Sequence, residues 1–442
     1  MKASIRSVYS GTQLAEMVRE ARERSFELVA DLTDEQLMGP RLAIVNPLRW
    51  EIGHVAWFQE RWTLRDRGIL PGIRPDADIL YDSAAVAHDT RWDLPLPSRQ
   101  ETLSYMCEVR DRLIEKLTRR EPADEDLYFV LLSVFHEDMH CEAFTYTRQT
   151  LGYPPPRFSR RPDDGLRSRN NGGSLPGDVR VPGGTFTLGA ASEEPFVFDN
   201  EKWAHPLEVE SFAIARAPVT QEEFAAFVEE GGYLRREHWC EEGWNWRQSA
   251  NAGHPVYWKR ADGSGWLRRD FDQWVPLEDR VAVIHVNWFE ADAYCRWVKR
   301  RLPTEAEWEM AASCEPSADG RSLSEHKRRY PWGDDPPTPD RANLDWRAMG
   351  CIEVDALPAG DSAFSCRQMI GNSWEWTSTT FNGYPGFVAG PYKEYSAPWF
   401  GDHKVLRGGC WSTRSRMIRS AYRNFYTPDR RDVWAGFRTC AI

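Results

Sequence analysis

The sequence changes character partway along the chain, and this change limits it to folds with two dissimilar parts. From Gly11 to about Thr150, apolar residues recur at helical spacing among strong helix formers. Later in the chain the apolar runs are short, tryptophan is frequent, and Gly, Pro and Asp interrupt each segment. Between these parts, Tyr153 to Asp178 contains a triple proline and few residues that could be buried. We therefore expect two domains joined by a surface linker.

The length supports the same division. A chain of 442 residues is about twice the size at which one hydrophobic core stops growing. We expect a helical domain at residues 1–155, a linker at 156–178 and an irregular mixed domain at 179–442. The fold class predicted for the whole chain is α+β.

Helix positions follow from periodicity and capping residues. In the first domain we predict four helices, at residues 11–31, 47–67, 98–119 and 124–151. Four helices of this length are typical of an up-and-down bundle. In the second domain we predict helices at 221–230 and 288–299, and a short one from Thr304, where the letters TEAE supply a cap and an acidic residue three positions on.

Charge and cysteine content exclude several classes of protein. The net charge is −11, and no dense Lys/Arg block suggests a nucleic-acid or membrane partner. Residues 1–11 lack an apolar core like that of a signal peptide, and nowhere do 18 apolar residues run together, so we expect a cytoplasmic protein. Nine cysteines without a C-x-x-C pair argue against a disulfide framework and a cysteine-rich zinc site.

The segment FHEDMHCE holds the densest metal-binding chemistry of the chain. His136 and His140 are four residues apart, so on a helix both face one side and can reach the same ion. The same letters match H-E-x-x-H of the zinc proteases, with Glu137 as the general base. That function needs a third ligand about twenty residues downstream, whereas the next downstream histidine is His205. A zinc protease is therefore disfavoured.

A third ligand is available upstream, in NPLRWEIGHVAWFQE. His54 falls on the second predicted helix among apolar residues, and the interior of a bundle is where helical proteins build metal sites. The alternative is a core histidine that hydrogen-bonds a helix carbonyl. Three neutral imidazoles from His54, His136 and His140 would leave coordination positions open for dioxygen and a substrate on iron(II). Zinc would accept the same ligands.

The motifs of the whole chain resemble those of the ergothioneine sulfoxide synthase family. HEDMHCE after NPLRWEIGHVAWFQE is followed, in the family's order and spacing, by GTFTLGA, PVTQEEFAAF, HVNWFEADAYCRW, RLPTEAEWE, YPWGD, GNSWEWT, VLRGGCW and GFR. The resemblance implies an N-terminal DinB-like four-helix bundle with three iron-binding histidines. It further implies a C-terminal domain with the formylglycine-generating-enzyme fold, a variant of the C-type lectin fold.

Within that family the chain most resembles the branch that forms selenoneine, in segments such as LYDSAAVAHDTRWDLPLP and VFDNEKWAHPLEV. This implies an oxidoreductase that uses iron(II) and dioxygen to join hercynine, the trimethylated betaine of histidine, to a selenosugar. The alternative within the family joins hercynine to cysteine or γ-glutamylcysteine as a sulfoxide. Both imply small-molecule substrates and neither a nucleic-acid nor a membrane partner; the oligomeric state stays open.

Several positions match functional residues of the family. His54, His136 and His140 match the iron ligands, and Arg91 matches an arginine that reaches the carboxylate of the sulfur donor. Asn424 and Arg430, in RNFYTPDRR, match residues of its substrate cleft.

Other positions depart from the ergothioneine enzymes. Phe58 and Met139 stand where mycobacterial-type enzymes have glutamines, and Tyr426 stands where they have an aspartate. Such a lining fits a sugar-bearing donor better than an amino-acid thiol. Phe58, Phe425 and Tyr426 are also candidates for an aromatic cage around the quaternary ammonium of hercynine. The alternative for each ring is an ordinary core position.

The family also uses a tyrosine as a proton or hydrogen-atom donor. Tyr384 and Tyr426 are the candidate catalytic tyrosines, and it stays open whether the family's position corresponds to Tyr384 or to Phe387 in the segment YPGF.

Three other functions compete with this one. A formylglycine-generating enzyme needs a cysteine pair after the RGG turn, where this chain has Thr413 and Ile418, and Cys410 is out of register. A pure binding module does not need three convergent histidines. A DinB-type zinc thiol transferase accounts for the bundle but leaves the second domain unexplained, and dioxygen consumption would distinguish it from an oxygenase.

Overall fold

A computed structural model describes residues 9–119, 123–159, 175–263 and 265–442. Its backbone contacts divide the chain into two compact units. The first is Met1–Arg160 with Glu193–Phe196, and the second is Arg161–Ser192 with Val197–Ile442. Most of the linker predicted at residues 156–178 lies outside the described residues, so its boundaries stay a prediction.

The described part of the first unit is helical. Its helices are α1 (Gly11–Val29), α2 (Asp34–Met38), α3 (Leu48–Thr63), α4 (Ala77–Tyr81), α5 (Arg99–Arg119) and α6 (Asp124–Leu151). The four predicted long helices are confirmed as α1, α3, α5 and α6. The third of the chain's helices ends four residues earlier than predicted, because Asp66 and Arg67 adopt a left-handed backbone, with φ of 45° and 62°.

Local sequence explains where these helices begin and end. Ser10 and Gln13 form a reciprocal capping box at the start of α1. Three acidic residues occupy the first turn of α6, where the helix dipole favours negative charge. Gly152 ends α6 in a left-handed conformation, with φ of 67°. Both α1 and α3 pack against α5 and α6, which buries the apolar faces of all four helices.

The second unit is mixed, and short elements dominate it. Its helices are α7 (Gln221–Glu229), α8 (Glu241–Ser249), α9 (Trp288–Trp297) and α10 (Glu305–Ser313). Its strands are β1 (Asp178–Val181), β2 (Gly184–Leu188), β3 (His205–Val209), β4 (Phe212–Ala215), β5 (Trp258–Arg260), β6 (Trp266–Asp270), β7 (Gln273–Pro276), β8 (Cys314–Pro316), β9 (Leu323–Lys327), β10 (Trp374–Thr380), β11 (Lys404–Arg407), β12 (Arg423–Tyr426) and β13 (Ala435–Gly436).

The largest sheet of the described residues has four strands in the order β12-β11-β10-β13. Strand β10 pairs in parallel with β13 and antiparallel with β11, and β11 pairs antiparallel with β12. Trp374 and Trp376 of β10 and Trp308 of α10 are almost fully buried. Strands β10 and β11 of this sheet carry parts of the GNSWEWT and VLRGGCW motifs.

The predicted helices of this unit are confirmed as α7, α9 and α10, and Thr304 forms the expected capping box with Glu307. Helix α8 was not predicted. Its sequence, EEGWNWRQS, contains Gly, Asn and Ser, which have low helix propensity, so tertiary packing decides its conformation.

All nine cysteines are free, which confirms the absence of disulfides. Within the described residues, no helix is long and apolar enough to cross a membrane.

One ion pair of the first unit gives a testable acid sensitivity. Asp78 on α4 accepts hydrogen bonds of 2.7 Å from both terminal nitrogens of Arg65 and from the Trp57 indole. These hydrogen bonds, of which those from Arg65 have the largest effect, lower the pKa of Asp78 to about 2. A lowered pKa contributes stability that is complete above the unfolded value near 3.9 and is lost as the pH falls toward 2.

We therefore expect Asp78→Asn to destabilise the protein at pH 5 and to matter little at pH 2. Because the Asp78 side chain is 46% exposed, the difference in unfolding free energy at pH 5 should stay below about 1 kcal/mol. Urea unfolding at the two pH values measures it, with the exposed Asp89→Asn as control. An equal deficit at both pH values would contradict the assignment.

Candidate metal centre

Two packed helices bring the three predicted metal ligands together. His54 lies on α3, and His136 and His140 lie one turn apart on α6. Because α3 packs against α6, residues far apart in sequence meet in the interior of the first unit. Each histidine offers one ring nitrogen to the cluster, and these three nitrogens all lie within 4.8 Å of one another. The three ring centroids are 4.5 to 5.1 Å apart.

Hydrogen bonds fix the orientation of two of these rings. His54 Nδ1 lies 2.8 Å from the carbonyl oxygen of Tyr81, and His140 Nδ1 lies 2.7 Å from Oε1 of Glu51. A carbonyl and a carboxylate can only accept, so each Nδ1 carries the hydrogen and donates it. The Nε2 atom of each ring then holds the lone pair that a metal requires.

The electrostatics also favour neutral imidazoles. Burial, and then the neighbouring His140, hold the pKa of His54 well below its usual value of 6.5. Burial and the other two histidines lower the pKa of His136 in the same way. Neutral imidazole is the form that binds a metal ion, so His54 and His136 can accept a cation without first losing a proton.

Aromatic rings hold the ligands in place. Trp50 stacks on His54 with ring centroids 4.9 Å apart, and Phe58 stacks on His136 at 3.7 Å with nearly parallel planes. Gly53 is required beside His54, because a Cβ there would lie 2.3 Å from the ring of Tyr81. The side chain of His140 remains 19% exposed, whereas His54 and His136 are buried. Solvent therefore reaches the cluster on the side of His140.

The protease alternative fails on the position of Glu137. This residue is fully buried and forms a salt bridge with Arg22, whose Nε lies 2.7 Å from Oε1. Ser25 donates a second hydrogen bond of 2.7 Å to the same oxygen. A general base must reach a water on the metal, and Glu137 instead joins α6 to α1.

The donor set suits a divalent transition metal with open coordination positions. The cluster consists of three histidine nitrogens, and no thiolate or carboxylate belongs to it among the described residues. Three neutral imidazoles leave about three positions of a six-coordinate ion for exogenous ligands.

Arg91 is tied to this cluster through Trp50. Its guanidinium lies 3.9 Å from the centroid of the Trp50 ring, which also stacks on His54. Its nitrogens donate to the side-chain oxygen of Asn46 at 2.6 Å and to the backbone oxygen of Val86 at 3.2 Å. The predicted contact of Arg91 with a donor carboxylate stays a prediction.

The remaining predicted residues of the first unit lie beside the ligands. Phe58 is buried against His136, as described above, and Met139 directly precedes His140 on α6 and is partly exposed.

Four predicted substrate residues lie in the second unit, on β12 and the turn after it. The guanidinium of Arg430 lies 5.1 Å from the Tyr426 ring centroid and makes a two-bond ion pair with Asp432. Phe425 stacks on Phe381 at 3.9 Å. Asn424 accepts a hydrogen bond of 2.8 Å from the backbone of Phe425. Asn424, Phe425 and Tyr426 are all partly exposed.

Tyr384 is buried in the core of the second unit. Its hydroxyl donates to Glu305 at 3.1 Å, and the guanidinium of Arg423 lies 4.2 Å from its ring. Burial raises the pKa of Tyr384 well above its usual value of 10.0. Phe387, the other candidate position, packs on Phe400 and is partly exposed. Which of the two positions serves a catalytic role stays a prediction.

Sequence reasoning missed two residues that orient the ligands. Glu51 precedes His54 by three positions, so both side chains project from one face of α3, and this spacing was the available signal. The Tyr81 carbonyl had no sequence signal, because a backbone atom carries no side-chain identity.

Comparisons with known families match both units. Residues 17–143 match the DinB superfamily, and residues 164–441 match the sulfatase-modifying factor enzyme 1-like domain. Together these matches extend over most of the chain.

Similar proteins include relatives that match from end to end. The chain is 36% identical to a hercynine oxygenase of Mycolicibacterium smegmatis over 433 residues, which covers 96% of this chain and 97% of the relative. It is 37% identical to a hercynine oxygenase of Mycobacterium tuberculosis over 442 residues, covering 97% and 98% of the two chains. A formylglycine-generating enzyme of Streptomyces coelicolor is 31% identical over 317 residues, covering 65% of this chain and 95% of the relative.

Proposed function

Because the chain belongs to the hercynine oxygenase family, we propose that it oxidises hercynine with dioxygen and iron(II) and joins it to a selenosugar. In the proposed step the imidazole C–H bond of hercynine and the Se–H bond of the donor are broken, and selenium is bonded to that ring carbon. Dioxygen is the four-electron oxidant: one oxygen atom becomes the selenoxide oxygen of the product, and the other leaves with the two protons as water. The observation that carries this proposal is the cluster of His54, His136 and His140, which fits an ion with open positions.

Iron(II) is the metal that we propose for this cluster. When bound, it would supply the redox chemistry that dioxygen requires and that side chains lack. The protein's part is to hold three neutral imidazoles at fixed orientation through Tyr81 and Glu51. A zinc ion on the same ligands would leave dioxygen unused, so dioxygen consumption separates the oxygenase from a zinc thiol transferase.

The neighbours of the cluster have positioning roles in this proposal. Trp50 covers one face of His54 and Phe58 covers one face of His136. This stacking keeps water from those faces and fixes the orientation of both imidazole rings. The positive charge of Arg91 is held beside Trp50 and would attract the carboxylate of a substrate. Aromatic faces stabilise a quaternary ammonium by about 0.5 to 2 kcal/mol each, and we propose Phe58, which stacks on His136, as one wall for hercynine.

The finer assignments are part of the same proposal. We assign the first unit a DinB-like four-helix bundle and the second a C-type-lectin-like fold, in a cytoplasmic enzyme. Asn424, Phe425, Tyr426 and Arg430 are proposed to bind substrate. Tyr426, which is partly exposed, and Tyr384 are the proposed proton donors.

The choice of selenium over sulfur is supported by the residues at the ligands. Phe58 is 1% exposed and stacks on His136, so that side of the cluster offers a ring in place of a hydrogen-bonding amide. Met139 adds a thioether next to His140. An amino-acid thiol brings an ammonium and a carboxylate that such side chains leave unsatisfied, and this costs binding free energy. The alternative is a sulfoxide synthase that uses cysteine or γ-glutamylcysteine.

Reconstitution with iron(II) tests the proposal. The apo-protein is loaded anaerobically, hercynine and air are added, and equal concentrations of a selenosugar and a thiol compete, with products identified by mass spectrometry. We expect the selenium adduct to form at least about tenfold faster, which corresponds to about 1.4 kcal/mol of differential stabilisation. Dioxygen uptake is recorded in the same reaction.

Each outcome has a separate meaning. A faster sulfur adduct would identify an ergothioneine-type sulfoxide synthase and reject the selenosugar. No dioxygen uptake with either donor would reject the oxygenase itself. Zinc-loaded protein is the matched control and should consume no dioxygen.

A further inference from the structure

Glu51 stands out among the buried acidic residues of the first unit. It lies one turn before His54 on α3 and is 2% exposed. Its Oε1 accepts the Nδ1 hydrogen of His140, on α6, at 2.7 Å. Glu51 therefore connects the helix that carries one ligand with the helix that carries the other two.

The charge of Glu51 lacks the usual compensation. Glu137 is paired with Arg22, and Glu375 in the second unit is paired with Arg438. Within the described ranges, Glu51 makes no ion pair with lysine or arginine, and its one side-chain hydrogen bond is to His140. Glu60 on the same helix also lacks an ion pair among the described residues, but it accepts hydrogen bonds from two donors outside the metal cluster, the Tyr105 hydroxyl and the backbone of Ile73. A buried carboxylate without a cation is costly by several kcal/mol. The three histidines next to it are the place where a cation would remove that cost.

We propose that Glu51 is a positioning residue that sets the metal affinity of the cluster. It keeps the lone pair of His140 on Nε2, facing the other ligands, and it supplies the negative charge that a divalent cation balances. The inference rests on the metal site of the proposed function and does not depend on the identity of either substrate. It also predicts that His140 is the more basic metal ligand of the two, because its Nδ1 hydrogen is bound by a carboxylate, whereas that of His54 is bound by the neutral carbonyl of Tyr81.

A carboxylate that positions a metal ligand and a carboxylate that only stabilises the fold predict different results when Glu51 is replaced. The first changes the metal affinity, and the second changes the stability of the metal-free protein. Partners of metal-bound histidines typically change metal affinity by about 10- to 100-fold when they are replaced. A purely structural carboxylate would instead change the stability of the apo-protein. Glu51→Gln separates the two, because the amide oxygen can still accept from His140 while the charge is gone.

The experiment uses the full-length apo-protein and Co(II) as the probe. Co(II) binding to wild type and Glu51→Gln is measured by competition with a chelator, together with the visible absorption of the bound ion and the melting temperature of the apo-protein. The matched control is Glu60→Gln, a carboxylate on the same helix that is 1% exposed and hydrogen-bonds Tyr105 and the backbone of Ile73. Glu51→Met removes the hydrogen bond as well as the charge.

We expect Co(II) to bind Glu51→Gln about 10- to 100-fold more weakly, with a changed absorption band and an apo-protein that melts no lower than wild type. Glu51→Met should lose more affinity than Glu51→Gln, and Glu60→Gln should retain wild-type affinity. Unchanged Co(II) affinity with a lower apo-protein melting temperature would overturn the inference and leave the three-histidine site intact. A wild-type protein that binds no Co(II) at a 1:1 ratio would overturn the metal site itself.

Discussion

Replacing His136 by alanine is expected to abolish metal binding at a 1:1 ratio and, with the metal, hercynine oxidation, a loss in rate of at least about three orders of magnitude. The physical reason is that a metal contributes several kcal/mol to the stabilisation of a transition state, and about 4 kcal/mol corresponds to roughly 10³ in rate. His136 is buried and stacked on Phe58, so no water-exposed side chain can take its place. The same result is expected for His54→Ala and His140→Ala.

The measurement combines metal content, dioxygen uptake and product formation on each purified variant. Circular dichroism of the apo-protein should show wild-type helix content, because α3 and α6 retain their other buried contacts. His326→Ala is the control, since His326 is 54% exposed and lies in the second unit. A variant that keeps turnover with any one of the three histidines removed would reject the cluster as the reactive centre.

The second large effect concerns stability. Arg438 is fully buried and makes two hydrogen bonds with Glu375, at 2.6 and 2.7 Å, and a third with the backbone oxygen of Arg367 at 2.9 Å. Glu375 is 1% exposed, and its other partner is the indole of Trp308 at 2.7 Å. Arg438→Met leaves this carboxylate buried without a cation. We expect a loss of about 3 to 5 kcal/mol in the unfolding free energy of the second unit.

The control replaces both charges. A buried pair exchanged for apolar residues of similar size is often neutral in stability, so Glu375→Leu added to Arg438→Met should recover at least half of the loss. Calorimetry measures both variants, and added Co(II) distinguishes the two units because it raises only the transition of the unit that binds it. A double variant as unstable as Arg438→Met would show that the cost is steric and not electrostatic.

Much of the site could be predicted because its signals are local. Four-residue spacing on a helix places His136 and His140 on one face whatever surrounds them. His54 could be added because it sits in an apolar helical segment with few polar residues to bury. The two domain types and the long helices were also predicted, since periodicity and capping residues act within a few positions.

Other features could not be predicted, since their partners are remote in sequence. Glu51 and His140 are 89 residues apart, and Glu375 and Arg438 are 63 apart. Both glutamates stand in otherwise apolar segments. From sequence alone, an acidic residue in such a segment would be interpreted as exposed or catalytic. Helix α8 was missed for a related reason, because its conformation depends on packing that its own residues do not encode.

The sequence by itself determined the four long helices of the first unit, the residue types available as ligands, and the absence of a disulfide framework. Tertiary structure alone decided that α3 and α6 bring His54 within reach of the other two histidines, that Glu137 faces Arg22 instead of the metal centre, and that Glu51 faces His140. The physical reason is the separation along the chain over which each interaction acts. Helix formation depends on residues three or four apart, whereas the partner of a buried charge is set by the packing of whole helices.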